Sequence, residues 1–326
     1  METLAPLVDR FGRPHDYLRV SLTDRCGFRC RYCMPDEGVE WTPQDQLMTT
    51  DEILHLCRLF VRLGIKRIRL TGGEPTLRRD YMDIVHELSG LVPVQITTNG
   101  TTLVRDALAL ADAGLAGVNV SCDSLQRDRF ADITQRDALP EVMAGIAAAQ
   151  SAGLMVKVNA VVIRGFNDDE VGDFVRFAVE RGIEVRFIEF MPFLGNNWKA
   201  DSVVPAREIR ESAHRAAALT PLPGTPSDVA TDFAVEGSRA VVGFISSVTE
   251  SFCSGCNRIR LTAEGKVKTC LFLPPRTSLR DLLRQGADES DIVQSIRDDL
   301  STKWEGHPSM KSWTQRDNLS MVQIGG

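Results

Sequence analysis

The sequence contains no apolar run that approaches the roughly 18 residues needed to cross a membrane. It also has no excess of basic residues, since 38 Lys and Arg are outnumbered by 44 Asp and Glu for a net charge of −6. A broad nucleic-acid-binding face normally requires a basic domain, so this balance argues against one. The first residues match neither a secretory signal nor a transit peptide. We therefore expect a cytoplasmic protein that binds neither membrane nor nucleic acid.

The eight cysteines are the most informative residues of the chain. In a reducing compartment such a set is more often metal-binding or catalytic than disulfide-linked. Cys57 and Cys122 stand alone, and we interpret them as small hydrophobic core residues. The other six form two groups of three, Cys26, Cys30 and Cys33 in the first and Cys253, Cys256 and Cys270 in the second.

Short β-rich runs alternate with helical patterns over the first 190 residues, and this alternation predicts a parallel sheet. Six β/α units fit an incomplete barrel at least as well as an open doubly wound sheet, and the pattern alone leaves both open. The six predicted strands are Tyr17–Leu22, Ile65–Leu70, Val92–Thr97, Gly117–Cys122, Leu154–Ile163 and Glu184–Phe190.

The regular alternation of strands and helices does not continue past residue 195. We therefore predict an α/β domain at 1–195 and a C-terminal domain at 196–326, which carries the second cysteine group. The C-terminal part reads as antiparallel strands with helices, including a hairpin that turns at Glu264-Gly265. Its predicted helices are Pro205–Ala217, Leu279–Arg284 and Ile292–Trp304, and its predicted strands are Ala240–Val248, Arg258–Thr262 and Lys266–Leu271.

Each cysteine group provides three ligands where a closed metal site needs four. Three thiolates can hold three irons of a [4Fe–4S] cube and leave the fourth iron open to a small molecule. A zinc site is the alternative for both groups, but the first has only His15 nearby, before the strand, and the second has only His307 after Cys270. The first group directly follows a strand, at the mouth where barrel enzymes perform their chemistry.

Six arginines and one lysine lie within predicted strands that would otherwise be apolar. A buried unpaired cation is strongly unfavourable, so salt bridges or solvent exposure could explain each residue singly. For the whole set, an anionic ligand such as a triphosphate is the more economical explanation. The residues are Arg19, Arg67, Arg69, Lys157, Arg186, Arg258 and Arg260.

Two motifs make the chain resemble the radical S-adenosylmethionine (SAM) enzymes. The first cysteine group has the spacing C-x3-C-x-aromatic-C, with Tyr32 at the aromatic position, and Thr71-Gly72-Gly73-Glu74-Pro75 follows the second strand. That resemblance implies an incomplete (β/α)6 TIM-like barrel with a C-terminal antiparallel-sheet and helix extension. It also implies that a reduced cluster cleaves SAM to a 5′-deoxyadenosyl radical, with Glu74 available for the methionine amino group.

The chain resembles one family of these enzymes in particular, the MoaA family, which are the GTP 3′,8-cyclases of molybdenum cofactor biosynthesis. Two segments carry this resemblance, Phe252-Cys-Ser-Gly-Cys-Asn-Arg-Ile-Arg-Leu-Thr262 and the final Ile324-Gly325-Gly326. The resemblance implies two [4Fe–4S] clusters, SAM, and hydrogen abstraction from C3′ of GTP followed by attack on C8. It implies that the glycine tail reaches the active site. The implied GTP contacts are Arg19, Arg69, Thr97, Lys157, Arg258 and Arg260, and the implied SAM contacts are Tyr32, Gly73, Ser121 and Met191.

The same resemblance implies a reductant such as flavodoxin or ferredoxin, and a product that passes to cyclic pyranopterin monophosphate synthase. A monomer and a homodimer both remain open. Two rival functions also remain: another radical SAM enzyme with an auxiliary cluster, such as a peptide maturase, and a non-catalytic zinc-ribbon RNA-binding protein.

Overall fold

The computed structural model describes residues 3–307 and 319–325, which form an α/β fold around one eleven-stranded sheet. The strands are β1 Tyr17–Ser21, β2 Arg67–Thr71, β3 Val94–Thr98, β4 Gly117–Ser121, β5 Met155–Val162, β6 Glu184–Glu189, β7 Leu219–Pro221, β8 Thr231–Val235, β9 Val241–Ile245, β10 Arg258–Leu261 and β11 Val267–Lys268. The six predicted barrel strands are therefore confirmed, with ends that differ by no more than two residues.

Helices connect the strands in the predicted alternation. Helix α1 begins with a capping box, in which the Thr49 side chain accepts a hydrogen bond from the Glu52 N–H while the Glu52 carboxylate accepts one from the Thr49 N–H. The helices are α1 Thr50–Arg62, α2 Tyr81–Ser89, α3 Leu103–Asp112, α4 Arg127–Thr134, α5 Leu139–Ser151, α6 Val171–Arg181, α7 Ala206–Ala216, α8 Leu279–Arg284, α9 Glu289–Ser301 and α10 Met321–Ile324.

The strand order is β11-β10-β1-β2-β3-β4-β5-β6-β9-β8-β7, so both ends of the barrel sheet are extended by C-terminal strands. The predicted hairpin at Glu264-Gly265 is present as the antiparallel pair β10 and β11. The sequence did not indicate that β10 also pairs with β1, or that β9 pairs with β6, both in parallel. Pairing between distant segments depends on tertiary contacts that local patterns do not encode.

The strands of the barrel have two chemically different faces. On β1, Leu18 and Val20 are fully buried in the core that packs against the helices. Tyr17 and Arg19 alternate with them and line an internal cavity. Strands of a parallel sheet are normally apolar on both faces, so a polar inner face marks the functional site. Across the described part of the chain, no helix combines the length and apolarity that a membrane crossing requires.

Candidate active site

A cavity of about 420 Å³ opens inside the barrel and is lined by both cysteine groups. All of the predicted site residues contribute to its wall, although they come from strands and loops far apart in the sequence. These residues are Arg19, Cys26, Cys30, Tyr32, Cys33, Arg69, Gly73, Glu74, Thr97, Ser121, Lys157, Met191, Cys253, Cys256, Arg258, Arg260 and Cys270. The fold therefore brings every one of them to a single site, while their individual roles stay predictions.

The first cysteine group follows the carboxyl end of β1 and is braced by the Gly72-Gly73 loop after β2. The Gly73 N–H donates to the Thr23 carbonyl at 2.7 Å, and the Glu74 N–H donates to the Arg25 carbonyl at 2.6 Å. A Cβ on Gly73 would lie 2.2 Å from the Arg25 carbonyl oxygen. Glycine is thus required here for the close approach of the two loops.

The Glu74 carboxylate is buried and already accepts four hydrogen bonds. Its Oε1 accepts from the Thr76 N–H at 3.1 Å and from the hydroxyls of Thr76 and Thr98 at 2.8 Å each. Within residues 3–307 and 319–325, its Oε2 accepts only the Asn99 N–H, at 2.6 Å. Because a carboxylate offers about four acceptor positions shared between its oxygens, Oε2 is the atom that retains capacity for a ligand amino group.

The three thiols of the first group are close enough to influence one another electrostatically. Burial raises the pKa of Cys30, and the neighbouring Cys33 and Cys26 raise it further. Burial likewise raises the pKa of Cys26, to about 11, and that of Cys33. A bound metal would stabilise the thiolates directly, so three soft ligands on one loop fit a thiolate-ligated cluster.

A carboxylate that sequence analysis missed lies beside this group. Asp123, two residues after β4, accepts the Val161 N–H at 2.8 Å and is hydrogen-bonded to the Tyr32 hydroxyl. Burial raises the pKa of Asp123 to about 6 despite these hydrogen bonds. The inner-face amides Asn119 and Asn159 were also missed, although their alternation with buried valines was a readable signal.

The second cysteine group lies at the opposite end of the strands. Cys253 and Cys256 immediately precede the amino end of β10, and Cys270 follows β11, which runs antiparallel to it. Two buried cations hold these segments. The Arg13 guanidinium donates to the carbonyls of Cys253, Glu305 and Trp304, each at 2.7 Å. The Lys303 ammonium donates to the carbonyls of Arg258 and Thr269.

The electrostatic setting of Cys256 differs from that of the first group. Burial alone would raise the pKa of its thiol, but the positive charges of Arg258 and Lys303 and hydrogen bonds from Arg258 lower it to about 6. The thiolate form is therefore available at neutral pH, as metal ligation requires. Cys253 and Cys270 line the same cavity, so all three thiols of the second group face one space.

Replacing Gly255 with alanine is expected to displace the second cysteine loop. A Cβ at this position would lie 1.5 Å from the Pro226 carbonyl oxygen, so the two backbones would have to separate. Overpacking of this kind lowers the free energy of unfolding by about 1–3 kcal/mol. Urea unfolding and iron analysis would measure the effect, with Gly90→Ala as control because its nearest atom would be 3.6 Å away. An unchanged midpoint and iron content would contradict the prediction.

Acid is expected to destabilise the protein through His15, which is buried beside Arg13. Burial, and then the charge of Lys303, lowers the pKa of His15 to about 3. The unfolded chain takes up a proton below about pH 6.5 while the folded chain does not, so stability is lost as pH falls through this range. From pH 6.5 to pH 5 this amounts to about 1.5 kcal/mol.

Urea midpoints at the two pH values would test this, because a His15→Gln variant should show a shallower dependence on pH. The amide keeps a donor for the Arg13 carbonyl without titrating. His55 is exposed on α1, so His55→Gln should behave like the wild type. Equal slopes for all three proteins would show that His15 does not control the acid response.

Three arginines form one row across neighbouring strands, because Arg19 lies in register with Arg260 on β10 and with Arg69 on β2. Adjacent strands are about 4.8 Å apart, so three positive charges face the cavity side by side. Burial, followed by the charge of Arg260, lowers the pKa of Arg19. Burial, followed by the charge of Arg258, lowers the pKa of Arg260 to about 10, so it remains charged at neutral pH.

Arg67 and Arg258 flank Tyr17, nearer the amino ends of the same strands. Together with Arg19, Arg69 and Arg260 they form what we call the arginine wall. Arg69 is fixed by donating to the Tyr17 hydroxyl and to Gln95. Arg258 lies 4.9 Å from the centroid of the Phe252 ring. Among the described residues, Arg67, Arg69, Arg258 and Arg260 form no ion pair with a carboxylate. The wall is therefore suited to a multiply charged anion.

The opposite wall is neutralised within the protein. Lys157 pairs with Glu184 at 2.5 Å, and Arg186 pairs with Glu184 and, at 3.5 Å, with Asp232. Two cations are balanced by two carboxylates here. The salt-bridge interpretation of basic strand residues thus applies to Lys157 and Arg186, and it leaves Lys157 with further N–H donors for a ligand.

The C-terminal tail contacts Arg260, a residue of the cavity wall. The Gly325 carbonyl accepts a hydrogen bond from Arg260 at 3.1 Å. Gly325 has φ +79°, and a Cβ there would lie 2.9 Å from the Ser21 Cβ, so only glycine fits. The second glycine of the tail, Gly326, lies outside the described residues.

Comparison with known proteins gives two family matches. Residues 20–178 match the radical SAM superfamily, and residues 183–309 match Molybdenum Cofactor Synthesis C. By overall structure, the chain is similar to Streptococcus suis SuiB bound to S-adenosylmethionine, with a TM-score of 0.60 at 13% identity, covering 96% of this chain and 79% of that one. At that identity the likeness establishes the fold, which agrees with the predicted partial TIM-like barrel.

Sequence relatives are much closer. The chain is 45% identical to the mitochondrial GTP 3′,8-cyclase of Arabidopsis thaliana, covering 98% of this chain and 83% of that protein. It is 41% identical to the GTP 3′,8-cyclase of Paracoccus denitrificans, covering 94% and 91%. It is 47% identical over 93% of its length to molybdenum cofactor biosynthesis protein 1 of Drosophila melanogaster, of which it spans only about half, 54%. The chain therefore belongs to the GTP 3′,8-cyclase family of the radical SAM superfamily.

Proposed function

We propose that this protein converts GTP to (8S)-3′,8-cyclo-7,8-dihydroguanosine 5′-triphosphate, as a lyase of molybdenum cofactor biosynthesis. The observation that supports this most directly is the arrangement of one cavity. A thiol triad lies at each end of the strands, and a wall of arginines lies between them. A ligand that carries both a base and several phosphates matches this distribution of metal ligands and charge.

The arginine wall would hold the triphosphate, because guanidinium groups form charge-assisted, bidentate hydrogen bonds with phosphate oxygens. Arg19, Arg69, Arg258 and Arg260 are the proposed contacts there. Lys157 and Thr97 line the same cavity and would contact the substrate from the neighbouring strands. With the phosphates fixed on β10, β1 and β2, the base would be directed toward the second cysteine group.

At the other end, Cys26, Cys30 and Cys33 would hold the first [4Fe–4S] cluster, which when reduced supplies the electron for cleavage of SAM. The proposed SAM contacts are Tyr32, Gly73, Glu74, Ser121 and Met191, all on this cavity. The Glu74 Oε2 would accept the methionine amino group. Tyr32 is fixed through its hydroxyl by Asp123 and through its carbonyl by the Asn196 amide at 3.3 Å.

The remaining elements of the proposal follow from family membership. A second [4Fe–4S] cluster would be held by Cys253, Cys256 and Cys270, and would bind the purine edge. We propose a flavodoxin or ferredoxin as reductant, cyclic pyranopterin monophosphate synthase as the next enzyme, and a cytoplasmic monomer or homodimer. The division into domains at 1–195 and 196–326 also stays a prediction.

Anaerobic incubation of the reconstituted protein with GTP, SAM and dithionite tests the function. We expect 5′-deoxyadenosine whose formation depends on GTP, together with the cyclised nucleotide. Iron and sulfide analysis should give about eight irons per chain, four for each cube. Fully loaded clusters without GTP-dependent 5′-deoxyadenosine would reject the substrate, and zinc without sulfide would favour the RNA-binding alternative. A peptide maturase would not be expected to bind GTP tightly.

A further inference from the structure

Ser247 places at the cavity a buried hydroxyl that no other group in the described part of the chain pairs with. The residue is 3% exposed and lines the cavity, and its Oγ has no hydrogen-bond partner among the described residues. Buried hydroxyls are nearly always hydrogen-bonded, because an unmatched one destabilises the fold. We propose that Ser247 is a binding residue for S-adenosylmethionine, an inference that rests on the proposed function.

The backbone directly after Ser247 is held by Glu189, a fully buried carboxylate at the end of β6. Its Oε2 accepts the N–H groups of Val248 at 2.6 Å and Thr249 at 2.9 Å. Its Oε1 accepts the Ala206 N–H at 2.7 Å and the Thr249 hydroxyl. Glu189 is therefore a positioning residue, which fixes Ser247 in advance of ligand binding and so lowers the entropy lost on association.

The position of Ser247 indicates which ligand it contacts. It lies two residues beyond the carboxyl end of β9, which runs parallel to β6, and this is the end that carries the first cysteine group. Val248 and Met191 pack against the same small apolar cluster, formed by Phe193, Phe272 and Ile324. The arginine wall belongs to β10, β1 and β2, on the other edge of the barrel.

A hydroxyl can both donate and accept, so it matches the ribose hydroxyls and the methionine amino and carboxylate groups of SAM alike. The triphosphate would lie on the arginine wall of β10, β1 and β2, at the other edge of the barrel from Ser247. Removing the hydroxyl should thus weaken SAM binding and leave GTP binding unchanged.

Calorimetric titration of the anaerobically reconstituted holoenzyme, without reductant so that SAM stays intact, tests this with Ser247→Ala. We expect the Kd for SAM to rise about tenfold, equivalent to about 1.4 kcal/mol, while the Kd for GTP stays the same. The melting temperature without ligands should stay the same or rise, because the variant removes an unmatched buried hydroxyl. A purely structural serine would instead lower it.

Ser124→Ala is the matched control. Ser124 is equally buried, but its hydroxyl donates to Glu170 at 2.8 Å and does not line the cavity. It should lower the melting temperature and leave the Kd for SAM unchanged. An unchanged Kd for SAM in Ser247→Ala, or a rise in the Kd for GTP instead, would overturn the inference. A wild-type protein that binds no SAM would overturn the proposed function and this inference with it.

Discussion

Replacing Cys30 with alanine should abolish the formation of 5′-deoxyadenosine and lower the iron content from about eight to about four per chain. Cys30 is the middle thiol of the first group and lines the cavity. Two thiolates on the remaining loop cannot hold three irons of a cube, so the electron that cleaves SAM would have no source. Iron analysis and chromatographic detection of 5′-deoxyadenosine after anaerobic reconstitution measure both effects.

Cys57→Ala is the matched control for this experiment. Cys57 is a fully buried free thiol on α1 and belongs to neither cysteine group. The truncation lowers stability as any cavity-forming substitution does, but the iron content and the reaction should be retained. If Cys30→Ala kept its full iron content and still cleaved SAM, the first group could not be the site of radical formation.

Replacing Arg260 with methionine should weaken GTP binding by about a hundredfold, equivalent to about 2.7 kcal/mol. Arg260 is buried, lies beside Arg19 in the arginine wall, and would contribute charge-assisted hydrogen bonds to the phosphates. The variant without ligands should melt at the same temperature or higher, because a buried like-charge contact is removed. Calorimetric titration with GTP and thermal melts would measure the two opposite effects.

Arg207→Met provides a control for the loss of one positive charge. Arg207 is 74% exposed on α7 and pairs loosely with Glu211 at 3.8 Å, so GTP binding should not change. Arg260→Lys should give an intermediate Kd, because an ammonium keeps the charge without the planar donor fork. Equal affinities for wild type and Arg260→Met would show that the triphosphate does not lie on this wall.

Local patterns were sufficient for most of the secondary structure. The alternation of short apolar strands with amphipathic helices located all six barrel strands, and the helix predicted at Leu279–Arg284 has the predicted bounds. Periodicity succeeds here because the strands are short, separated by helices, and bounded by turn residues. It could not decide between a barrel and an open sheet, which differ only in how distant strands associate.

Tertiary contacts add constraints on two site residues that local patterns did not contain. The atoms nearest to a Cβ on Gly73 would belong to Arg25 and Asp24. At Glu74, most of the acceptor capacity of the carboxylate is used by Thr76, Thr98 and Asn99, and its predicted role toward the methionine amino group depends on Oε2. The contacts of Gly73 with Arg25 and of Glu74 with Thr98 and Asn99 join segments many residues apart, so no short window of sequence contains both partners.

The amino-acid sequence by itself determined the chemistry available to this protein, because ligand type and spacing are local properties. The sequence shows six cysteines in two groups of three metal ligands, and it shows basic residues within apolar strands. Only the tertiary structure decided that the two sets face one cavity, because β10 pairs with β1 across some 240 residues of chain. Tertiary structure also decided which cations are paired, since Lys157 and Arg186 meet carboxylates while four members of the arginine wall meet none in the part of the chain that the structure describes.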